Sequence, residues 1–125
     1  MIPKRVLVVD DEPFIRELVK VKLGFCGIET IEGSNGFEGL EQAEREKPDL
    51  ILLDVMMPKM DGFETCQRLK ENPQTRDIPV IMLSARGERT AQEKGERLGI
   101  IDYLTKPFSP QALAERILEI LNRNG

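Results

Sequence analysis

The 125-residue sequence contains no histidine, no tryptophan, one tyrosine and two cysteines. Without histidine, the chain cannot carry a Ser-His-Asp or Cys-His triad, a histidine metal site or a phosphohistidine. The scarcity of aromatic residues disfavours stacking on bases, and the net charge of -4 argues against a nucleic-acid-binding surface. Cys26 and Cys66 lie far apart in predicted helices, so we expect two reduced, mostly buried thiols.

The sequence also lacks a long apolar segment. No run approaches the roughly 18 residues of a membrane span, and the N-terminus leads directly into a predicted strand without the pattern of a signal peptide. These features predict a cytoplasmic protein. The length fits a single domain, which we expect over residues 1–125.

Short apolar runs alternate with amphipathic segments, which predicts βαβ units and a parallel sheet. Continuously apolar runs at 6–9, 50–53 and 80–83 indicate strands covered on both faces, whereas the mixed runs at 28–32 and 100–105 indicate edge strands. Right-handed crossovers then allow the strand order 2-1-3-4-5. The sequence therefore predicts an α/β fold with a flavodoxin-like (βα)5 doubly wound parallel sheet.

Five helices are predicted between and after these strands. The first begins near Pro13 and the last near Ser109-Pro110, both of which suit a helix start. The fourth, from about Glu88 to Leu98, is only weakly amphipathic and should be the least firmly anchored. The first has a broad apolar face formed by Phe14, Ile15, Leu18, Val19, Val21, Leu23 and Phe25.

Polar residues follow the apolar runs at the ends of four of the predicted strands. Asp10 and Asp11 follow the first strand, Asp54 the third, Ser84 the fourth and Lys106 the fifth. Ligands bind outside the carboxyl ends of the strands in such sheets. Taken singly, the first two aspartates also suit a helix cap and the third a turn. Four matching strand ends favour one site, and three close carboxylates favour Mg²⁺, a hard cation that prefers oxygen ligands and phosphate.

An aspartate can act as a nucleophile towards phosphorus and form an acyl phosphate. Asp54 is the candidate, because it follows the central strand with no flanking acid. Asp11 and Asp54 would then hold the metal with the backbone carbonyl of Met56, and Asp10 could hold a metal-bound water.

The remaining polar residues suit the phosphoryl oxygens. Lys106 offers a point charge, and a cis bond before Pro107 would aim it inward, although X-Pro bonds are rarely cis. Ser84 could donate its hydroxyl. Tyr103 is either an edge-strand aromatic half packed on a helix or a ring that changes burial when Ser84 moves.

Four sequence motifs, in the order in which they occur along the chain, resemble those of the receiver domains of bacterial two-component response regulators, the CheY-like family. The resemblance covers essentially the whole chain, and the combination is far more specific than any one motif. The matching segments are Val8–Glu12, Leu53–Gly62, Leu83–Ala85 and Asp102–Phe108.

The resemblance implies a phosphorylation-activated switch. Asp54 would take a phosphoryl group from the phosphohistidine of a sensor histidine kinase or a histidine phosphotransfer protein, with Mg²⁺ or Mn²⁺ as cofactor. Ser84 and Tyr103 would be the switch pair, and the Lys106-Pro107 bond would be cis. The fourth helix, fifth strand and fifth helix would form the output face for a downstream protein or domain, and phosphorylation could also drive a homodimer.

Some positions depart from the common family pattern. Met56 and Arg86 lie two residues after Asp54 and Ser84, and we hypothesise that their bulk slows hydrolysis of the phosphoryl group. Ile100, where the family often has alanine, could alter the switch face.

Two alternative functions remain. A receiver-like interaction module would keep the fold without using phosphate. A metal-dependent phosphatase with an aspartyl nucleophile usually has an acid where this chain has Met56, and also needs a substrate cap for which the chain has no room. In the favoured interpretation, the chain catalyses only its own phosphorylation and dephosphorylation.

Overall fold

The computed structural model describes residues 2–85 and 99–123, which form five strands and four helices. The predicted helix at 88–98 lies outside these residues. In chain order the elements are β1 (Arg5–Val9), α1 (Pro13–Phe25), β2 (Glu29–Gly33), α2 (Gly36–Glu46), β3 (Leu50–Asp54), α3 (Gly62–Glu71), β4 (Val80–Ala85), β5 (Asp102–Lys106) and α4 (Pro110–Arg123).

The five strands form one parallel sheet in the order β2-β1-β3-β4-β5. This order confirms the predicted α/β flavodoxin-like fold. Val9 pairs with Leu53, so β1 and β3 end side by side. The chain reverses its direction of winding at these two strands, and the crevice at such a switch point is where these folds bind ligands.

Hydrophobic side chains alternate between two core layers, one on each face of the sheet. Val6, Val8, Leu50 and Leu52 belong to the layer under α1 and α4, while their neighbours belong to the layer under α2 and α3. Every residue of β3 is buried, which confirms a strand covered on both faces. The outer strands β2 and β5 are mostly half-buried, as predicted for edges.

The prediction of one broad buried face on α1 is wrong for part of the helix. Val19 and Leu23 are fully buried against the sheet. Phe14, Val21 and Phe25 are 72%, 50% and 85% exposed. At 100° per residue these three fall on one stripe turned away from the sheet, because a straight helix can pack only part of its circumference against a flat layer.

Side chains cap three helices as their residue types lead one to expect. The carboxamide of Asn35 accepts from the Glu38 N–H at 2.9 Å, and the carboxylate of Asp61 accepts from the Glu64 N–H at 2.9 Å. The predicted start of the last helix is confirmed, because the Ser109 hydroxyl accepts from the Ala112 N–H at 3.2 Å.

Both cysteines are free thiols, with Cys66 buried and Cys26 half-buried. Cys66 packs in the core layer under α2 and α3, and burial raises the pKa of its thiol to about 11. Among the described residues, none of the helices has the length and apolar character to cross a bilayer.

Glycines at two helical positions should respond to alanine in opposite ways. A Cβ on Gly39 would lie 2.9 Å from Val9 Cγ2, so Gly39→Ala should lower the free energy of unfolding by about 1–3 kcal/mol through overpacking. Gly24 near the end of α1 has open space around it, so Gly24→Ala should raise that free energy by about 0.5–1 kcal/mol. Urea unfolding of both variants checks the pair, and effects of equal sign would contradict the packing described here.

Candidate functional site

The predicted polar residues lie along one edge of the sheet. Asp10 and Asp11 follow β1, Asp54 is the last residue of β3, Ser84 is the next-to-last residue of β4, and Lys106 ends β5. Because the strands are parallel and in register, their carboxyl ends all open on the same side.

Three carboxylates of this edge form a cluster. Asp10, Asp11 and Asp54 each place one oxygen so that the three lie within 4.8 Å of one another. Oxygens that share a Mg²⁺ ion at about 2.1 Å lie about 3–4 Å apart, so the three carboxylates offer the oxygen ligands that Mg²⁺ prefers and lie close enough together that they could hold it. Asp10 and Asp54 are buried, and Asp11 is exposed, which leaves the cluster open to solvent on one side.

Lys106 points into the cluster. Its Nζ lies 2.7 Å from Asp10 Oδ2, 3.5 Å from Asp54 Oδ2 and 3.8 Å from Glu12 Oε1. The peptide bond between Lys106 and Pro107 is cis, which confirms what the family resemblance implies and what the residues alone left open.

Two side chains of the site, Asp54 and Lys106, have shifted pKa values. Burial, reinforced by the charge of Asp10, raises the pKa of Asp54 from 3.8 to about 6, although Lys106 opposes this. Burial lowers the pKa of Lys106, but its hydrogen bond to Asp10 and the nearby charges of Asp54, Asp10 and Glu12 outweigh burial and raise it. The lysine therefore stays charged, whereas the charged form of Asp54 is disfavoured.

Hydrogen bonds distinguish the two buried aspartates. Asp10 uses both side-chain oxygens, because Oδ1 accepts from the Glu12 N–H at 2.9 Å and Oδ2 accepts from Lys106 at 2.7 Å. Asp54 is held more loosely, with the Met56 N–H donating to its Oδ1 at 3.3 Å. Asp54 thus keeps more lone-pair capacity for another partner.

Ser84 and Tyr103 lie on the neighbouring strands. Asp54 pairs with Leu83, so Ser84 stands one residue further along β4, and its side chain is buried. Tyr103 pairs with Met82 and is half-buried against the core layer under α2 and α3. The structure brings Ser84 to the same edge as Asp54 and places Tyr103 three residues before Lys106.

Two residues that support the site were not assigned a role from the sequence. Gly62 donates its N–H to the Val55 carbonyl at 2.9 Å, and a Cβ there would lie 2.3 Å from the Asp54 carbonyl oxygen. Arg16 Nη1 donates to the Asp10 carbonyl at 2.7 Å. An Asp-Gly pair at a helix start is a detectable signal for the first, whereas an arginine on a helix normally indicates only a solvated face.

Comparison with known proteins identifies relatives of the whole chain. The family model of the response regulator receiver domain matches residues 6–118. The phosphate regulon transcriptional regulatory protein PhoB of Pseudomonas aeruginosa is 45% identical over 125 residues, covering 100% of this chain and 55% of PhoB. The alkaline phosphatase synthesis transcriptional regulatory protein PhoP of Bacillus subtilis is 46% identical over 121 residues, covering 97% of this chain and 50% of PhoP. The chain spans about half the length of these curated relatives.

Solved structures agree with this assignment. The receiver domain of the Francisella response regulator 1452 is 35% identical with a TM-score of 0.89, covering 98% of this chain and 99% of that one. A CheY-like response regulator receiver domain protein from Methanospirillum hungatei is 30% identical with a TM-score of 0.91, covering 98% and 96%.

The raised pKa of Asp54 predicts a pH-dependent stability of the metal-free protein. Below pH about 3.8 the carboxyl is protonated in both folded and unfolded states, so it adds no penalty; the penalty grows as pH rises and is complete above about 6. Asp54→Asn should therefore raise the free energy of unfolding at pH 7.5 by on the order of 2–3 kcal/mol, and by progressively less towards pH 4.

Urea unfolding in EDTA at several pH values measures this effect. The exposed Asp77→Asn variant, at the opposite end of β4, is the control and should show no such gain. A gain for Asp54→Asn that is independent of pH would contradict the prediction.

Proposed function

The chain belongs to the response regulator receiver domain family, and on that premise we propose that it is a phosphorylation-activated signalling switch with Asp54 as phosphoacceptor. The proposal rests on one observation above the others. Asp54 is a buried carboxylate at the switch point of the sheet, crowded by Asp10 and reached by Lys106 at 3.5 Å. Crowded carboxylates can bind a divalent metal ion, and a nearby lysine can bind a phosphoryl group, so the two kinds of side chain suit a site that uses both.

The proposed metal is Mg²⁺, which Mn²⁺ could replace. Asp11 and Asp54 would hold it together with the backbone carbonyl of Met56, and Asp10 would hold a metal-bound water. When bound, the ion would neutralise charge on the phosphoryl oxygens and clamp them in place.

We infer that Asp54 acts as the nucleophile because its oxygens are the less occupied. A side-chain oxygen of Asp54 would attack phosphorus as the bond from phosphorus to the donor histidine nitrogen breaks, and the electron pair of that bond leaves with the imidazole. Lys106 would supply charge to a phosphoryl oxygen, and the Ser84 hydroxyl would donate to another. Hydrolysis would reverse the gain: water would attack phosphorus as the bond from phosphorus to the Asp54 oxygen breaks, which restores the carboxylate and releases inorganic phosphate.

The downstream signal would arise from movement of side chains at the carboxyl ends of β4 and β5. Ser84 would follow the phosphoryl group, and Tyr103, half-buried on β5, would change burial with it. The signal would be read on the surface formed by β5, α4 and the residues predicted as a helix at 88–98. This surface is our proposal for the contact with a downstream protein or domain, or with a second copy after phosphorylation.

The proposed partners follow from the family. A sensor histidine kinase or a histidine phosphotransfer protein would supply the phosphoryl group, and we propose that this reaction takes place in the cytoplasm. PhoB and PhoP are named transcriptional regulatory proteins, but the net charge of -4 here argues against DNA contact by residues 1–125. We infer that these residues are one receiver domain and that any contact with DNA belongs to a separate output domain or protein.

Intact mass after incubation with Mg²⁺ and acetyl phosphate or phosphoramidate tests the proposal. The chain should gain one phosphoryl group, and Asp54→Asn or added EDTA should abolish the gain, whereas the control Asp77→Asn should retain it. A label that persists in Asp54→Asn would contradict the assignment of the site. No label at any donor concentration would favour the interaction module that does not use phosphate.

The lifetime of the phosphorylated state should depend on Met56. Its side chain is 64% exposed beside Asp54, where it would hinder the approach of water to the phosphoryl group. Met56→Asn should therefore speed loss of the label severalfold, and Met56→Leu, which keeps an apolar side chain of similar size, should not. Decay of the mass label over time measures both, and equal rates for the two variants would refute this role.

A further inference from the structure

Arg16 is a largely buried arginine that joins three segments around the acidic cluster. We propose that Arg16 is a positioning residue for the metal-binding carboxylates, acting through the backbone carbonyl of Asp10, and that Glu32 orients it. This inference rests on the proposed metal site and adds to it a residue outside the acidic cluster.

The guanidinium group makes two hydrogen bonds in different directions. Nη1 donates to the Asp10 carbonyl at 2.7 Å, and Nε donates to Glu32 Oε1 at 3.1 Å. The arginine side chain is only 16% exposed. Its planar fork cannot rotate about one bond without breaking the other, so α1 and β2 together determine where Nη1 lies.

The bonded carbonyl belongs to the peptide unit that links the two acids. A peptide unit is planar, so the Asp10 carbonyl oxygen and the Asp11 Cα lie in one rigid plane. Holding that oxygen therefore sets the direction in which the exposed Asp11 leaves the strand. The rest of Asp10 is also fixed, since its N–H donates to the Gly33 carbonyl at 3.1 Å and both side-chain oxygens are bonded. The hydrogen bond from Arg16 to the Asp10 carbonyl therefore fixes the direction of Asp11 as well.

Positioning and simple charge make opposite predictions for the loss of Arg16. A positive guanidinium near a cation site repels the metal, so on electrostatic grounds alone its removal would strengthen Mg²⁺ binding. If the arginine holds the ligands in place, its removal weakens binding despite that gain. The direction of the change in affinity therefore distinguishes the two roles.

Arg5 offers a matched control at the other end of β1. Its Nη1 donates to the Glu46 carbonyl at 2.8 Å, and its Nη2 donates to Glu46 Oε1 at 3.1 Å. It thus combines a backbone carbonyl and a carboxylate as Arg16 does, but away from the acidic cluster. A purely structural role would cost both variants stability and neither of them metal affinity.

The test is a titration of the full chain with Mg²⁺, in which amide NMR chemical shifts report binding. Urea unfolding in EDTA measures the stability of each variant in parallel. Arg16→Met should raise the Mg²⁺ Kd about tenfold, as found when groups supporting metal ligands are removed. Arg5→Met should leave the Kd unchanged. Arg16→Lys, which keeps the charge but loses the fork, should give a smaller rise, and it decides the matter if Arg16→Met does not fold.

A double-mutant cycle tests the role of Glu32. Glu32→Gln should weaken Mg²⁺ binding in the wild-type background more than in the Arg16→Met background, because there it has no arginine to orient. Equal effects in the two backgrounds would overturn the part assigned to Glu32.

The remaining outcomes separate this inference from the proposed function. Unchanged or tighter Mg²⁺ binding by the Arg16 variants, with normal binding by wild type, would overturn the inference and leave the metal site intact. Failure of the wild-type protein to bind Mg²⁺ would overturn the metal site and this inference with it.

Discussion

Two carboxylates, Asp10 and Asp54, are buried next to each other where β1 and β3 end, and the rest of the site depends on their repulsion. Water screens them poorly because both are buried. Lys106 compensates unequally, at 2.7 Å from Asp10 and 3.5 Å from Asp54. Burial of the Asp54 carboxyl, reinforced by the charge of Asp10, raises its pKa to about 6. The folded metal-free chain therefore holds an unfavourable charge that a divalent cation would relieve, which couples metal binding to stability.

The fold can tolerate this cost because the strands that carry it are rigidly packed. β3 is buried along its whole length, and both core layers meet it. Close approaches by the glycines of two helices hold the ends of these strands in the same way. Gly39 lies against Val9 at the end of β1, and Gly62 lies against the Asp54 carbonyl at the end of β3. The repulsion thus cannot relax by moving the backbone apart, so it persists as a property of the side chains.

Sequence patterns could predict the sheet and the members of the site because these depend on periodicity and topology. Once three runs indicate buried parallel strands, the order 2-1-3-4-5 brings Asp10 and Asp54 together without knowledge of any distance. The outward stripe of Phe14, Val21 and Phe25 could not be predicted, since periodicity shows which residues share a face but not how much of a helix the sheet covers. The hydrogen bond from Arg16 to the Asp10 carbonyl could not be predicted either. Every residue has a backbone carbonyl, so the sequence does not show which one accepts a hydrogen bond.

The two cations of the site differ in a way that suits different tasks. Lys106 has a flexible stem and a compact charge, and it already contacts three carboxylates at unequal distances. If Asp54 accepts a phosphoryl group as proposed, Lys106 would turn from Asp10 to a phosphoryl oxygen and so exchange one anionic partner for another. Arg16 cannot make such an exchange, because leaving the Asp10 carbonyl would strand a buried peptide oxygen and break the bond to Glu32. A phosphorylation switch needs both properties. One cation must be able to move to the phosphoryl group, and the other must keep the carboxylates in position while the phosphoryl group is added and removed.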